Sequence, residues 1–452
     1  MMPITRRSFL AASAAAAASP AFAAPAPATE TEVAIIGAGA AGIAAATRIA
    51  AAGRRFEVIE AAARLGGRCI TDTKIFGVPF DLGAHWAYGP DNPVTKATSW
   101  TELNVYPAPT GQRVRIGQRN ARENELEDFL DALVRSNRGI AEAAQGKTDV
   151  NCARALPRNL GDWQPVAEFV LGAYPFGKDL NELSAVDVTK SAPRDSAVFC
   201  RQGYGALLAR LAAGMPAQFS SPVTRIVTPA AARVDVHTAK GVVTARYAIV
   251  TASTGVLAAG KIKFEPELPK RQLDAIAALK LGSLDHIALE LAGNPLNLQP
   301  DELVFEKSDG KRTAALLANV SGTPLAVVDV GGSFGRELSA KGERAMIDFA
   351  TEWLANLYGA DIRKAVKRSH ATRWNAEPWA LGAIAAAAPG NQSARGILTE
   401  PVRDRIYFAG EAVHETLWGT VGGAWDSGIR AAEAILRKMG VALGPAPARR
   451  PR

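Results

Sequence analysis

The chain has 452 residues, 48% hydrophobic and 21% charged, which suits two domains with a large packed core and excludes disorder for the bulk of the molecule. Its 52 Lys and Arg against 44 Asp and Glu leave a formal charge of +8, part of it at the two ends, so the body is mildly basic and has no basic stripe interleaved with aromatics that would suit nucleic acid. Five scattered histidines and three cysteines have no metal-ligand spacing, so no metal is expected, and Cys69, Cys152 and Cys200 allow one disulfide at most.

At the N-terminus, Thr5-Arg6-Arg7-Ser8-Phe9-Leu10 forms a twin-arginine pattern. A weakly apolar alanine-rich stretch follows, and Ala21-Phe22-Ala23 is a small-x-small cleavage site. Residues 1–30 are expected to be a signal and short leader. They would direct the folded protein through the twin-arginine export machinery to the periplasm. The stretch is too short and too weakly apolar to span a bilayer, and no later run approaches twenty apolar residues, so no membrane anchor is expected.

Glu32-Val33-Ala34-Ile35-Ile36 predicts a buried strand. It enters Gly37-Ala38-Gly39-Ala40-Ala41-Gly42 and then an alanine-rich helix over about 43–52. Gly37 permits the tight turn, Gly39 lets backbone approach a pyrophosphate, and Gly42 lets helix and strand pack closely. Ala41 lies in the same loop. The helix N-terminus offers free N–H groups to phosphate. A second strand, Phe56-Glu57-Val58-Ile59, ends in Glu60, placed about twenty residues past the last glycine to accept hydrogen bonds from a ribose. Strand, turn, helix, strand and terminal acid in this order predict a dinucleotide site.

Residues 87–195 read as helical and polar, punctuated by Pro107, Pro109 and Pro157. Within them 123–138 predicts an amphipathic covering helix with Leu126, Phe129, Leu130 and Leu133 inward. A helix over 207–213 and strands at 223–227, 234–237 and 245–251 predict a meander that rejoins the first sheet. Strands at 284–291 and 325–330, a helix over 340–358 and a final helix over 424–439 complete the pattern. Residues 441–452, rich in Pro, Ala and Arg, are expected to be a disordered tail.

Beyond Glu60 the chain reads Ala61-Ala62-Ala63-Arg64-Leu65-Gly66-Gly67-Arg68. Later come Asp81-Leu82-Gly83-Ala84-His85-Trp86, Tyr407-Phe408-Ala409-Gly410-Glu411 and Trp418-Gly419-Thr420-Val421-Gly422-Gly423-Ala424. With these four ordered motifs the sequence resembles the FAD-dependent amine oxidases: monoamine oxidases, polyamine oxidases and histone-demethylase-like enzymes. The resemblance spans roughly residues 31–437. It implies an α/β, two-domain fold. A Rossmann-like βαβ unit plus β-meander forms the FAD-binding domain (31–86, 196–264 and 398–440), and a discontinuous α+β substrate domain takes 87–195 and 265–397. It implies that Glu60 binds the adenosine ribose and Val223 meets the adenosine end. Arg68 would sit near the phosphates and flavin. Gly83, Ala84, His85 and Trp86 would line the isoalloxazine, and Gly410, Glu411, Thr420 and Val421 would complete the cofactor site. The final helix would aim its positive end at flavin N1/O2. The implied reaction moves a hydride equivalent from the carbon beside an amine nitrogen to flavin N5. The imine then hydrolyses, and oxygen or a periplasmic electron acceptor reoxidises the cofactor.

Three positions depart from the family pattern. In Lys280-Leu281-Gly282-Ser283-Leu284-Asp285-His286, His286 stands where most members carry a lysine that holds a water against flavin N5. A histidine there could hold that water or act as a base near neutral pH. In Arg373-Trp374-Asn375-Ala376-Glu377-Pro378-Trp379-Ala380-Leu381-Gly382-Ala383-Ile384, Ile384 replaces one tyrosine of the aromatic pair that faces the flavin, and Thr420 replaces the other. Little cation–π stabilisation of an amine is left, unless Trp86, Trp418 or Trp425 supplies it. Ala383 stands where monoamine oxidases attach FAD through cysteine, so the FAD is expected to be non-covalent. His286, Trp374, Ile384 and Thr420 are the candidates for the reacting face. Trp379 is expected in the core and Cys69 as a buried thiol. His414 and Glu415 fit either channel lining or loop exposure. The departures leave two other readings open: a FAD-dependent oxidase or desaturase of a non-amine substrate on the same fold, and a catalytically silent flavin-binding accessory protein.

Overall fold

A computed structural model describes residues 29–89, 92–96, 102–194, 196–229 and 233–444. The expected signal and leader, residues 1–30, lies outside them except for 29 and 30, which belong to the first strand and not to a leader. Of the expected disordered tail, 441–452, residues 441–444 are described and are ordered against the core through Val441 and Leu443, with the Gly444 carbonyl accepting from Arg48.

The strand Thr29–Ile36 lies one strand in from the edge of a seven-stranded sheet. It pairs in parallel with Phe56–Ile59 on one side and Gly241–Val250 on the other. Val33, Ala34 and Ile35 are wholly buried, because both faces of a parallel layer are covered and the strand therefore reads as an unbroken apolar run. The ten-residue strand Gly241–Val250 does two jobs. Its second half extends the parallel layer to Ile406–Phe408. Its first half turns antiparallel against Val234–Thr238, which pairs with Val223–Val227, and Lys263–Glu265 forms the edge.

The helices Ala40–Ala51 and Val421–Lys438 lie against each other beside this sheet. A Cβ added to Gly428 would lie 2.1 Å from the Ala41 carbonyl oxygen, so the close approach depends on that glycine. The packing brings two helix N-termini to one cavity, beyond the carboxyl ends of the parallel strands, where open α/β sheets bind ligands.

A second seven-stranded sheet runs Val366–Ala371, Leu284–Leu291, Leu325–Gly331, Ala315–Ala318, Glu302–Glu306, Gln112–Ile116 and Arg119–Asn120. One face packs Ile287, Leu289 and Val328 against Met346, Phe349 and Leu354. Side chains alternate across a strand, so the opposite face carries Ala288, Leu325 and Val327 with Phe76, Phe80 and Phe199. His286 and Asp329 stand directly opposite each other in the antiparallel register of that face.

Four further expectations need correction. The 87–195 stretch is not uniformly helical: Gln112–Ile116 pairs in parallel with Glu302–Glu306. The helix expected over 340–358 begins at Glu343 and runs to Tyr358, and Ala340 instead ends a separate helix, Gly332–Ala340, the two divided at Gly342, whose φ of +98° only glycine adopts readily. The covering helix extends over Glu123–Ala143, and its buried stripe is Phe129, Ala132, Ser136 and Ile140. Leu130 is 42% exposed, because that stripe runs along a different line of the helix. Trp379 is 37% exposed rather than in the core, with Lys261 Nζ 5.1 Å from its ring centre. The three cysteines are buried and unpaired. Among the described residues no helix is long and apolar enough to cross a membrane.

Candidate active site

One continuous cavity is lined from both sheets. All the residues picked out from the sequence as binding or reacting groups line it except Gly42. Gly42 works behind the wall: a Cβ there would sit 1.9 Å from the Gly37 carbonyl oxygen, so only glycine lets the helix start this close to the strand.

At one end Gly37 turns with φ +105°. Gly39 caps the helix Ala40–Ala51, whose first turn has neither a capping side chain nor an acid. Its free N–H groups and positive end suit a phosphate. A Cβ on Gly39 would meet nothing within 4 Å, although the residue lines the cavity, so this glycine keeps open space that a ligand can fill. Glu60 accepts hydrogen bonds from Ala38 N–H at 2.6 Å and Ala62 N–H at 2.7 Å. Burial pushes its carboxyl above the ordinary range, and those two bonds oppose the rise. Val223 lines the same cavity.

The middle is a knot around Glu411. Its carboxylate pairs with Arg68 Nη1 at 3.0 Å and accepts from Gly419 N–H at 3.0 Å and Ala385 N–H at 3.3 Å. Arg68 also donates to the Ala383 carbonyl. Gly410, with φ +144°, leaves open space toward the cavity as Gly39 does. Thr420 caps the helix Val421–Lys438: its Oγ1 accepts from Gly423 N–H at 2.9 Å and donates to the Leu417 carbonyl at 2.7 Å. The hydroxyl is occupied, and the helix N-terminus at Val421 faces the cavity.

The far wall is built on Gly83. Its missing Cβ would strike the Arg68 carbonyl oxygen at 2.1 Å and lie 3.0 Å from Trp374 Cζ2. Trp374 is fixed by its indole N–H to the Leu82 carbonyl, 2.9 Å, and its backbone N–H to Asp285 Oδ1, 2.7 Å. His286 Nδ1 lies 2.5 Å from Asp329 Oδ1 and Nε2 lies 2.8 Å from the Gly83 carbonyl oxygen. Burial alone would lower the imidazole pKa, but Asp329 and the Gly83 carbonyl outweigh it and raise it to about 9. The ring is a doubly donating imidazolium at neutral pH, with no lone pair free to take a proton. His85 Nδ1 bonds Asp81 Oδ2 at 2.8 Å, and its buried Nε2 has no partner among the described residues. Trp86 lies against Phe199, ring centres 4.7 Å apart.

Asp329, Asp285, Tyr88, Tyr174 and Arg194 also shape this site and were not singled out from the sequence. A lone Asp in the apolar run of Leu325–Gly331 was the one available signal. Trp418 is wholly buried between Phe176 and Arg395, so of the three spare tryptophans only Trp86 lines the cavity. His414 is buried and bonded to Asp426, and Glu415 pairs with Arg430 outside the cavity.

A glycine-cradled helix end, a terminal acid and a second helix N-terminus on one cavity define a dinucleotide-binding protein. The open positions at Gly39 and Gly410 and the unpartnered His85 Nε2 fit a large polar cofactor. The family model for flavin containing amine oxidoreductases matches residues 40–436, and the chain belongs to that family. Polyamine oxidase 4 of Oryza sativa subsp. japonica is 26% identical over 445 residues, covering 89% of this chain and 88% of the relative. Lysine-specific histone demethylase 2 of Homo sapiens is 25% identical over 452 residues, covering 88% of this chain and 53% of the relative. Among solved structures, putrescine oxidase bound to putrescine has a TM-score of 0.77 at 19% identity, covering 91% of this chain and 100% of the other. Cyclohexylamine oxidase from Brevibacterium oxydans IH-35A has a TM-score of 0.75 at 19% identity, covering 91% and 99%. At that identity the structures speak for the fold alone, a two-domain α/β architecture. The family membership makes this chain a flavin-dependent amine-oxidising enzyme.

Proposed function

We propose that the chain is a periplasmic amine oxidase or dehydrogenase that holds FAD without a covalent bond. The observation that carries the FAD reading is the pair of glycines, Gly39 and Gly410, that leave space along a cavity with Glu60 at one end and the Val421 helix terminus further along. Glu60 would bind the ribose and the Gly39 helix end the pyrophosphate. Gly83, Ala84, His85, Trp86 and Thr420 would flank the ring system. Ala383 offers no nucleophile for attachment. The thiol nearest to hand, Cys69, is held well above its ordinary pKa by burial, so it stays protonated and unreactive.

Bound FAD supplies the two-electron oxidation of the amine C–N bond. The residues of this chain orient the substrate and set the charge around it. His286 acts as a fixed cation that ties the strand Leu284–Leu291 to Gly83, not as a base. Arg68 and Glu411 hold the 383–385 segment against the cavity. Trp374 closes the wall over Gly83 and excludes water. The twin-arginine pattern supports export of the folded, cofactor-loaded chain, and oxygen or a periplasmic carrier would take the electrons.

The test is anaerobic absorbance of the purified yellow holoprotein against primary amines, polyamines and amino acids. Bleaching of the oxidised flavin band by one of them supports the reading. A flavin that dithionite reduces but no amine does would refute it. Release of unmodified FAD on acid precipitation would support non-covalent binding.

A further inference from the structure

The electrostatics of the reacting end bear on the substrate. Arg194 lines the cavity. Its Nη1 donates to the Pro175 carbonyl at 2.9 Å and its Nη2 to the Trp418 carbonyl at 2.9 Å. The guanidinium carbon lies 5.3 Å from the Tyr88 ring centre and 4.7 Å from that of Phe176. Among the described residues no carboxylate lies within ion-pair distance of it. A Cβ built on Gly419 would fall 3.2 Å from Arg194 Nη2 and 2.7 Å from Ile384 Cγ2. The guanidinium therefore stands beside Ile384 and one residue from Thr420, the two positions that lack the family's aromatics.

Nearby, Arg68 is paired with Glu411 at 3.0 Å and His286 with Asp329 at 2.5 Å, and the Asp285 carboxylate accepts from Trp374 N–H and the Thr372 hydroxyl. Neither pair includes the Arg194 guanidinium, whose hydrogen bonds go to carbonyl oxygens. Burying an uncompensated charge is costly, and an arginine stays protonated. Tyr174 adds a second unused donor: it lines the same cavity, and its buried hydroxyl has no partner among the described residues. Carbonyl contacts leave further guanidinium N–H groups free, and carboxylate is the group their fork matches best.

Resting on the amine-oxidase reading, we infer that the amine substrate carries a carboxylate bound by Arg194, so that the substrate class is amino acids rather than polyamines. A polycation would have to bring a second ammonium toward the guanidinium, which like charge disfavours. The aromatic pair is dispensable here because an anionic group, not a cation, anchors the substrate.

The test titrates holoprotein with non-oxidisable pairs, phenylacetate against phenylacetamide and 4-methylpentanoate against its amide, following the perturbation of the flavin spectrum. The expected result is carboxylate binding on the order of 10- to 100-fold tighter than the amide. Arg194→Met should abolish that preference and Arg194→Lys should retain part of it. Flavin content and melting temperature of each variant report folding. If Arg194→Met does not fold, the wild-type comparison still decides. Equal binding of acid and amide, or no binding of either carboxylate, overturns the inference. Anaerobic reduction by L-leucine and L-phenylalanine against 3-methylbutylamine and phenethylamine separates the two claims. Bleaching by the amines with no advantage for the amino acids rejects the carboxylate site and leaves the amine reading intact. A carboxylate preference without bleaching by any donor supports the site and rejects the amine reading.

Discussion

Replacing Asp329 with asparagine removes the carboxylate that keeps His286 charged. In the folded chain the imidazolium persists to about pH 9, against an ordinary value of 6.5, even though burial pulls the other way. Its side chain is 12% exposed and that of Asp329 8%, so solvent screens the pair little. At about 1.4 kcal/mol per pH unit, the difference between the two values is worth roughly 3 kcal/mol. The folded-state value is raised, so this stabilisation is complete below the unfolded value of 6.5 and is lost as pH rises through about 9. Asp329→Asn should remove most of it, leaving burial opposed only by the Gly83 carbonyl and Asp285. Histidine-labelled protein has five rings to resolve. In nitrogen-detected spectra one ring, absent in His286→Gln, should remain doubly protonated at pH 8 in the wild type and be neutral in Asp329→Asn. The wild-type melting temperature should fall from pH 7 to pH 9 by more than that of Asp329→Asn. A His286 that titrates below pH 7 in the wild type, or identical pH profiles for the two proteins, would refute the reasoning.

Two glycines should separate folding from cofactor binding. Gly39→Ala, whose added Cβ meets nothing within 4 Å in the protein, should leave the melting temperature of the apoprotein within a degree or two while flavin content per chain falls sharply. Gly42→Ala, which strikes the Gly37 carbonyl, should lower the apoprotein melting temperature itself. Asp187 and Arg395 form an ion pair with both side chains 3% exposed, and it also holds Ala387 and Ala385. Asp187→Asn should cost about 3–5 kcal/mol in denaturant unfolding, with flavin released in the same transition. Thr420→Ala removes a helix cap and should cost about 1 kcal/mol; flavin content should hold, because the hydroxyl is bonded within the helix end.

The first βαβ unit was legible because its cues are local: an apolar strand buried on both faces, a glycine at each tight contact and an acid at the next strand end. The start of the helix at Glu343 was local too, and Gly342 marks it, but the expected start lies three residues too early. What sequence could not give was the company of each site residue. His286 and Asp329 meet only because the register of two antiparallel strands sets them opposite each other. Asp285, one residue away, faces the other side and fixes Trp374. Arg194 sits in an irregular segment with no periodicity to mark it, and it reaches Ile384 and Gly419 through the fold alone. The same tertiary context turned His286 from a plausible base into a fixed cation.

The most direct test of the account is a single turnover. Holoprotein is reduced anaerobically by a substoichiometric amine or amino acid, and carbonyl product is counted against flavin reduced. The account requires one carbonyl product per flavin, with ammonia or the corresponding amine released in equal amount. Reduction of the flavin without a carbonyl product would contradict it.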